Sequence, residues 1–341
     1  MWNSQNKILP GCYINFLTNT PLSIIPGERG TVLLLQEMSK GEDSKIYVNT
    51  ATSSSMPEGS TAEDKILVNE ALKGAKTVKV YKLPKTHSAE AIEAALSMLK
   101  TVEFDVICYP YTNDANKQSI VKWIKSMRDD EGRKIQAVLE NCLADSEAVI
   151  NVVQGIKLSD GTVLTAAQTT AWVSGITAGA YINKSNTNQK YIGAVDVVPK
   201  MTKSEMETAI EAGKFVFKTD SIGNVYSVYD INSFTTFTSE KGKMFRKNRV
   251  IRVIDGINNA IVSIFESNYV GKEDNNAEGR SKFRAVLVDY FKELQRLNAV
   301  QNFDTEDVKV LPGIEKDAII INCNIQPVDS VEKIYMKVSL S

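Results

Sequence analysis

The chain has 341 residues, of which 43% are hydrophobic, and its 40 Lys and Arg nearly balance 41 Asp and Glu for a formal net charge of −1. That length suits two domains, and the apolar fraction is too high for a disordered chain. The even charge excludes a global electrostatic drive toward nucleic acid or an anionic membrane and favours self-association over colloidal repulsion.

The residues Met1-Trp2-Asn3-Ser4-Gln5-Asn6 lack the apolar core of a signal peptide, so the chain is expected to be made and kept in a cytoplasm. No run of about 18 apolar residues offers a membrane span. Residues 1–20 read as an arm. Pro10-Gly11 is a turn signal, after which Cys12, Ile14 and Phe16 alternate with Tyr13, Asn15 and Leu17 as one short strand. Asn19-Thr20-Pro21 ends that strand and Pro26-Gly27 turns the chain again.

Strands and helices then alternate up to residue 238. Apolar, β-branched runs predict strands at 31–35, 77–83, 104–109, 135–139 and 148–153. Helices are expected at 63–73, with Thr61 as N-cap and Gly74 as stop, and at 89–100, 115–128 and 165–182. In the second of these, Ile92, Ala95, Leu96 and Leu99 share one face. Thr202-Lys-Ser-Glu205 is a capping box that opens a short helix closed by Gly213. Residues 215–217 and 225–229 suggest a hairpin around Gly223-Asn224. The alternation implies a layered α/β domain with a largely parallel sheet.

The last hundred residues differ. Val250, Ile254, Ile257, Ile261, Ile264 and Phe265 recur at helical spacing, followed by a polar turn over 271–280. A second amphipathic helix is expected over 281–298, with Phe283, Leu287, Tyr290, Leu294 and Leu297 on one stripe. A strand follows at 318–325, Pro327 interrupts it, and a final strand is predicted over 331–340. That last run sets Ile334, Met336, Val338 and Leu340 against Lys333, Tyr335, Lys337 and Ser339. These signals predict a small α+β domain with a strand hanging off its end.

Catalytic chemistry finds little support. His87, the one histidine, stands beside the Pro84 turn and reads as a loop bystander. No GxSxG elbow or GxxxxGK[ST] phosphate loop occurs, and no GxGxxG follows a strand. The spacing Gly175-Ile-Thr-Ala-Gly179 indicates close helix packing instead. Asp274 to Gly279 lacks the ligand spacing of a calcium loop, and Asp129-Asp130-Glu131 reads as a solvated helix end. Cys12, Cys108, Cys142 and Cys323 form no CxxC pair, so neither metal nor redox cofactor is expected. Lys241, Lys243, Arg246, Lys247, Arg249 and Arg252 make the densest basic patch, open to an acidic protein partner, a nucleic acid or plain solvation.

An ordered series of motifs carries a resemblance. It runs through Pro10-Gly-Cys-Tyr-Ile-Asn15, Arg29-Gly30, Ala71-Leu-Lys-Gly-Ala-Lys76, Val80-Tyr-Lys-Leu83, Ala194-Val-Asp-Val197 and Asp230-Ile-Asn232. It continues with Lys247-Asn-Arg-Val-Ile-Arg-Val-Ile-Asp255, Asn268-Tyr-Val-Gly-Lys272, Asp274-Asn-Asn276, Gly279-Arg280, Gln301-Asn-Phe303, Gln326-Pro-Val-Asp-Ser330 and Glu332-Lys-Ile-Tyr-Met336. Together these resemble the tail sheath family of myophages, defective prophages and R-type bacteriocins of Gram-positive bacteria. Many relatives carry a β-sandwich insertion after the Val-Tyr-Lys-Leu strand, and here only residues 84–88 precede the next helix.

The resemblance implies a structural subunit, not an enzyme. Copies would stack as rings around a tail tube protein, with baseplate and tail terminator proteins as further partners and neither direct nucleic-acid contact nor membrane insertion. The particle would be a virion tail or bacteriocin assembled in the host bacterial cytoplasm. The implied organisation is a linking arm over 1–20, an α/β domain over 21–240, an α+β domain facing the tube over 241–326 and a second arm over 327–341. The arms would link neighbours through Cys12, Tyr13, Ile14 and Phe16 at one end and Val331, Ile334, Tyr335, Met336, Val338 and Leu340 at the other. The residues agree, because a lone terminal strand cannot satisfy its own backbone groups; a hairpin between the two termini is the competing arrangement. Asn275, Asn276, Gly279, Arg280, Lys282 and Arg284 are the expected tube-facing residues. The alternatives are an α/β enzyme and a nucleotide-dependent polymer.

Overall fold

The computed structural model describes residues 29–337. Strand β1, Thr31–Glu37, is buried at its five central positions, as a central strand covered on both faces must be. Strand β2, Ile46–Thr50, has no counterpart among the expected elements; it buries Tyr47 and Asn49 and exposes Val48 at a sheet edge. Helix α1, Ala62–Leu72, starts at a reciprocal Thr61–Asp64 capping box. Then come β3 (Thr77–Leu83), α2 (Ala89–Leu99), β4 (Val106–Tyr109), α3 (Asp114–Asp129), β5 (Gln136–Glu140) and β6 (Val149–Val152). Each lies within a few residues of its predicted place. Residues 84–88 alone join β3 to α2, so no sandwich is inserted there.

Three short strands follow, β7 (Gly155–Leu158), β8 (Val163–Leu164) and β9 (Ala194–Val198), which make a small antiparallel sheet in the order β8-β7-β9. Helix α4, Ala166–Gly179, lies between β8 and β9, and α5, Lys203–Glu211, carries the Thr202–Glu205 capping box. The expected strand at 215–217 divides in two. β10 (Lys214–Phe215) joins the large sheet beside β6, while β11 (Phe217–Thr219) turns into a hairpin with β12 (Val225–Ser227). The backbone N–H of Phe217 donates to the Gln154 side chain at 2.7 Å, which separates the two registers.

The large sheet has the order β10-β6-β5-β4-β1-β3-β2, parallel except for β2. Alternation along β1 sends Val32 and Leu34 to one core and Leu33 and Leu35 to the other. The first core lies under α1 and α4 and holds Trp172 stacked on Tyr191, 4.1 Å between centroids. The second lies under α2 and α3, with Ile92, Leu96, Ile120 and Ile124. Helices α1 and α4 meet backbone to backbone: a Cβ on Gly175 would fall 2.1 Å from the Ala71 carbonyl oxygen. The packing role expected of Gly175 and Gly179 is what the structure has.

Helix α6 (Asn248–Asn268) and helix α7 (Ala277–Arg296) pack around Val253, Phe283, Leu287, Phe291 and Leu294. α7 begins four residues before the predicted 281, because Asn276 accepts from the Gly279 N–H as N-cap. Gly279 and Arg280 thus sit in its first turn, not in a loop. Strands β13 (Val300–Gln301) and β16 (Gln326–Pro327) pair with each other, as do β14 (Val308–Pro312) and β15 (Ile319–Cys323). Residues 331–337 carry no regular secondary structure and no strand partner within the described chain. Val338, Leu340, Cys12, Tyr13, Ile14 and Phe16 lie outside the described residues.

Candidate functional site

The C-terminal segment leaves the body at β16. The Val328 N–H donates to the Ala299 carbonyl at 2.9 Å, Asp329 pairs with Lys247 at 3.3 Å, and the Glu332 carboxylate pairs with the same ammonium. Glu332 also accepts from the Thr187 hydroxyl at 2.9 Å. Around it the side chains point to solvent: Val331 is 88% exposed, Ile334 85%, Tyr335 90% and Met336 82%. Four large apolar side chains are bared in this short stretch, a larger run than single surface hydrophobics usually make.

The six expected tube-facing residues are brought together at one end of the C-terminal helices, most of them in structural roles. Asn275 donates to the Lys316 and Ala318 carbonyls, both at 2.8 Å, and so ties the α6–α7 turn to the β14–β15 turn. Asn276 is the N-cap, and Arg280 donates to Asn275 Oδ1 at 2.8 Å. Arg284 donates through Nε to the Val308 carbonyl at 2.8 Å and through Nη2 to the Thr305 carbonyl. Lys282 is half exposed, with long ion pairs to Glu273 and Glu278 of 3.5 and 3.4 Å. A cavity of about 520 Å³ opens between the two turns over Phe265, Tyr269 and Phe283.

A second cleft, about 460 Å³, opens at the carboxyl ends of β1 and β4, where the strand order reverses and open α/β sheets commonly bind ligands. His87 lies here, in the loop between β3 and α2, with both ring nitrogens hydrogen-bonded. Its Nδ1 is 2.8 Å from Glu37 Oε1 and its Nε2 is 2.7 Å from the Tyr109 hydroxyl, which accepts from Asn116 at 2.9 Å. The carboxylate requires a proton on Nδ1, so in the neutral ring Nε2 accepts from Tyr109. Burial pushes the Tyr109 and Tyr111 phenols up, which leaves them as neutral hydrogen-bonding groups. Among the described residues no Lys, Arg or Gly lines the cleft, and no serine or cysteine stands at His87 Nε2. Among the described residues no cluster of three or more His, Cys, Asp or Glu is placed to hold a metal ion.

The basic stretch at 241–252 is not a patch. Arg246, Arg249 and Arg252 are buried, and Lys241 pairs with Glu147 at 2.6 Å. Arg252 lies 3.6 Å from Asp230; burial outweighs that neighbour and holds the guanidinium down to about 10. A charge count along the sequence cannot reveal this, since Asp230 and the Lys184 backbone carbonyl, which accepts from Arg252, meet α6 only through the fold.

The sequence matches two family models: phage tail sheath protein central domain over residues 85–233, and phage tail sheath C-terminal domain over residues 240–341. The solved sheath tail protein of Desulfitobacterium hafniense is 34% identical, with a TM-score of 0.83 over 96% of this chain and 99% of that one. The chain belongs to the phage tail sheath family. An uncharacterized protein of Bacillus subtilis, YqbK, is 37% identical over 265 residues, 75% of this chain. This family member spans 57% of that relative's length. The helical sheath of the anti-feeding prophage, solved in its contracted state, shares the fold at 16% identity, with a TM-score of 0.75 over 98% of this chain and 99% of that one.

Proposed function

We propose that the chain is the repeating subunit of a contractile tail sheath. Copies polymerise around a tail tube, and a baseplate trigger lets the lattice shorten and widen, driving the tube through the target envelope. The particle is a virion tail or bacteriocin assembled in the host cytoplasm and closed by baseplate and tail terminator proteins. The observation that carries the reading is the bared apolar segment Val331, Ile334, Tyr335 and Met336, in a chain of the sheath family. Added as a strand to a neighbour's sheet, such a segment satisfies its backbone and buries its apolar face at once. Each such backbone hydrogen bond contributes about 0.5–1.5 kcal/mol net, so about four to six of them make a link of several kcal/mol.

In this reading residues 1–20 and 327–341 are linking arms, 21–240 the α/β body and 241–326 the tube-side body. Contraction needs no nucleotide, because the energy lies in the difference between two packings of the same subunits, summed over the lattice. Negative-stain microscopy of the purified chain tests this: tubes or rings are expected. A catalytic reading rests on the switch-point cleft. His87→Ala separates the two, since it would abolish a turnover made by the cleft and leave tube assembly intact.

A further inference from the structure

The C-terminal segment is not free from its first residue. Its exposed side chains are interrupted by one buried carboxylate. Glu332 has a side chain 9% exposed between Val331 at 88% and Ile334 at 85%. Its partners come from three places in the fold. Lys247, 15% exposed, stands at the start of α6 and caps nothing with its side chain. Its ammonium lies 4.3 Å from the centre of the Tyr229 ring and takes Asp329 as a second carboxylate at 3.3 Å. Thr187 accepts from the Asp230 N–H at 3.0 Å and donates its own hydroxyl to the Glu332 carboxylate at 2.9 Å. Ser330, within the segment, donates to Glu332 at 3.1 Å.

The socket is fixed to the core. Asp230 accepts from the Asn186 N–H and from Asn248 Nδ2, both at 2.9 Å, and stands beside the buried Arg252. Whatever holds Glu332 is therefore tied to the body, while residues 333–337 make no hydrogen bond or ion pair with the other described residues. A buried ion pair adds little to stability once desolvation is counted, and its best-attested use is to fix one arrangement among several. Here that arrangement is the exit of the chain from the body.

We infer that Lys247 and Glu332 form a clasp that sets the point and direction from which the C-terminal arm reaches a second copy of this chain. This rests on the strand-donating reading of the arm and adds the residues that aim it. With the clasp closed, the free strand begins at Lys333. With it open, residues 328–332 join the free segment and add about 16 Å of slack at about 3.3 Å per residue. Slack of that order lowers the effective concentration of the strand at its acceptor and lets it pair in more than one register.

The test uses the full chain and four variants: Lys247→Glu, Glu332→Lys, the two reversals together, and Glu332→Gln. The readouts are the fraction sedimenting as tubes and, in the unassembled fraction, the rate of tryptic cleavage at Lys333. Each single reversal is expected to cut tube yield about tenfold and to speed that cleavage; the double reversal recovers most of both. Glu332→Gln, which keeps shape and lies outside the packed body, gives a smaller loss in the same direction. Single reversals that assemble as the parent does, or a double reversal no better than the singles, overturn the clasp. Deleting 333–341 keeps Glu332 and removes the strand: tubes after that deletion would overturn strand donation instead. If Lys247→Glu fails to fold, the two Glu332 variants decide the matter alone.

Discussion

Arg128 on α3 and Asp255 on α6 form a buried two-point ion pair, with Nη1 to Oδ2 at 2.7 Å and Nη2 to Oδ1 at 2.8 Å. Arg128 also donates to the Ile135 carbonyl at 3.0 Å, and Asn259 bonds both N–H and C=O of Lys134 at 2.9 and 2.8 Å. Burial alone would lower the Arg128 guanidinium, yet Asp255 raises it, so the guanidinium stays charged. These contacts bolt the C-terminal helices to the edge of the large sheet's helical layer. In the proposed sheath subunit, this is where the C-terminal helices would otherwise slide on the sheet layer.

Removing one partner leaves the other charge buried and unpaired, which costs about 3–5 kcal/mol. Arg128→Ala and Asp255→Ala are each expected to lower stability by that amount in urea unfolding. Arg128→Met combined with Asp255→Leu should recover most of it. A double variant as unstable as the singles would show that the pair holds the two parts together by more than mutual neutralisation.

The α1–α4 contact yields a second prediction. A Cβ on Gly179 would sit 1.8 Å from the Gly74 carbonyl oxygen, and one on Gly175 2.1 Å from that of Ala71. Both obstacles are backbone, so α4 must move off the sheet to admit a methyl. Gly175→Ala and Gly179→Ala are each expected to cost at least the 1–3 kcal/mol or so of core overpacking. Gly132→Ala, whose Cβ would meet no atom of the described residues within 4 Å, carries only the strain of a positive φ and should cost less. Thermal melts of the three variants rank them.

These glycines were legible because spacing is a local signal, as were the long periodic elements, the N-cap at Thr61 and the capping box at Thr202. Short strands were not. β2, β7, β9 and β14 are at most five residues long, too brief for periodicity to separate them from loop. The division at Val216 follows from Gln154, which lies 63 residues from the Phe217 amide it holds. The hydrogen-bond partners of His87 were illegible for the same reason: Glu37 and Tyr109 are 50 and 22 residues away. The order of the sheet, which makes the cleft, depends on which strands meet and is written in no single segment.

Lys282 and Arg284 are neighbours on α7 with different duties. Arg284→Glu would leave the Val308 and Thr305 carbonyls without their donor and is expected to cost about 1–3 kcal/mol. Lys282→Glu breaks only exposed pairs and should change stability by no more than about 0.5 kcal/mol. The proposed tube-facing role is therefore tested with Lys282→Glu alone. Weaker co-sedimentation with tube protein at low salt, with self-assembly unchanged, is the expected result; undiminished binding would remove this face from consideration.

The terminal strand gives the final prediction. Val331, Ile334, Tyr335 and Met336 are 82–90% exposed, so nothing in the described body depends on them for its core. Deleting residues 333–341 should therefore leave the melting temperature close to that of the parent and yield a folded chain that forms no tubes. If the segment instead pairs within its own subunit, with the N-terminal residues 12–17, the same deletion lowers the melting temperature, and lost assembly follows from misfolding. Aspartate substitutions refine the test. Ile334 and Met336 fall on one face of an extended strand, and that face must be covered when the strand is added to a neighbour. Ile334→Asp with Met336→Asp puts two charges on it and should abolish tubes without unfolding the monomer. Lys333→Asp with Lys337→Asp, on the opposite face, should leave assembly standing. Equal effects from the two pairs would mean that the segment docks without strand register, and normal tubes from the first pair would mean that this strand is not the link.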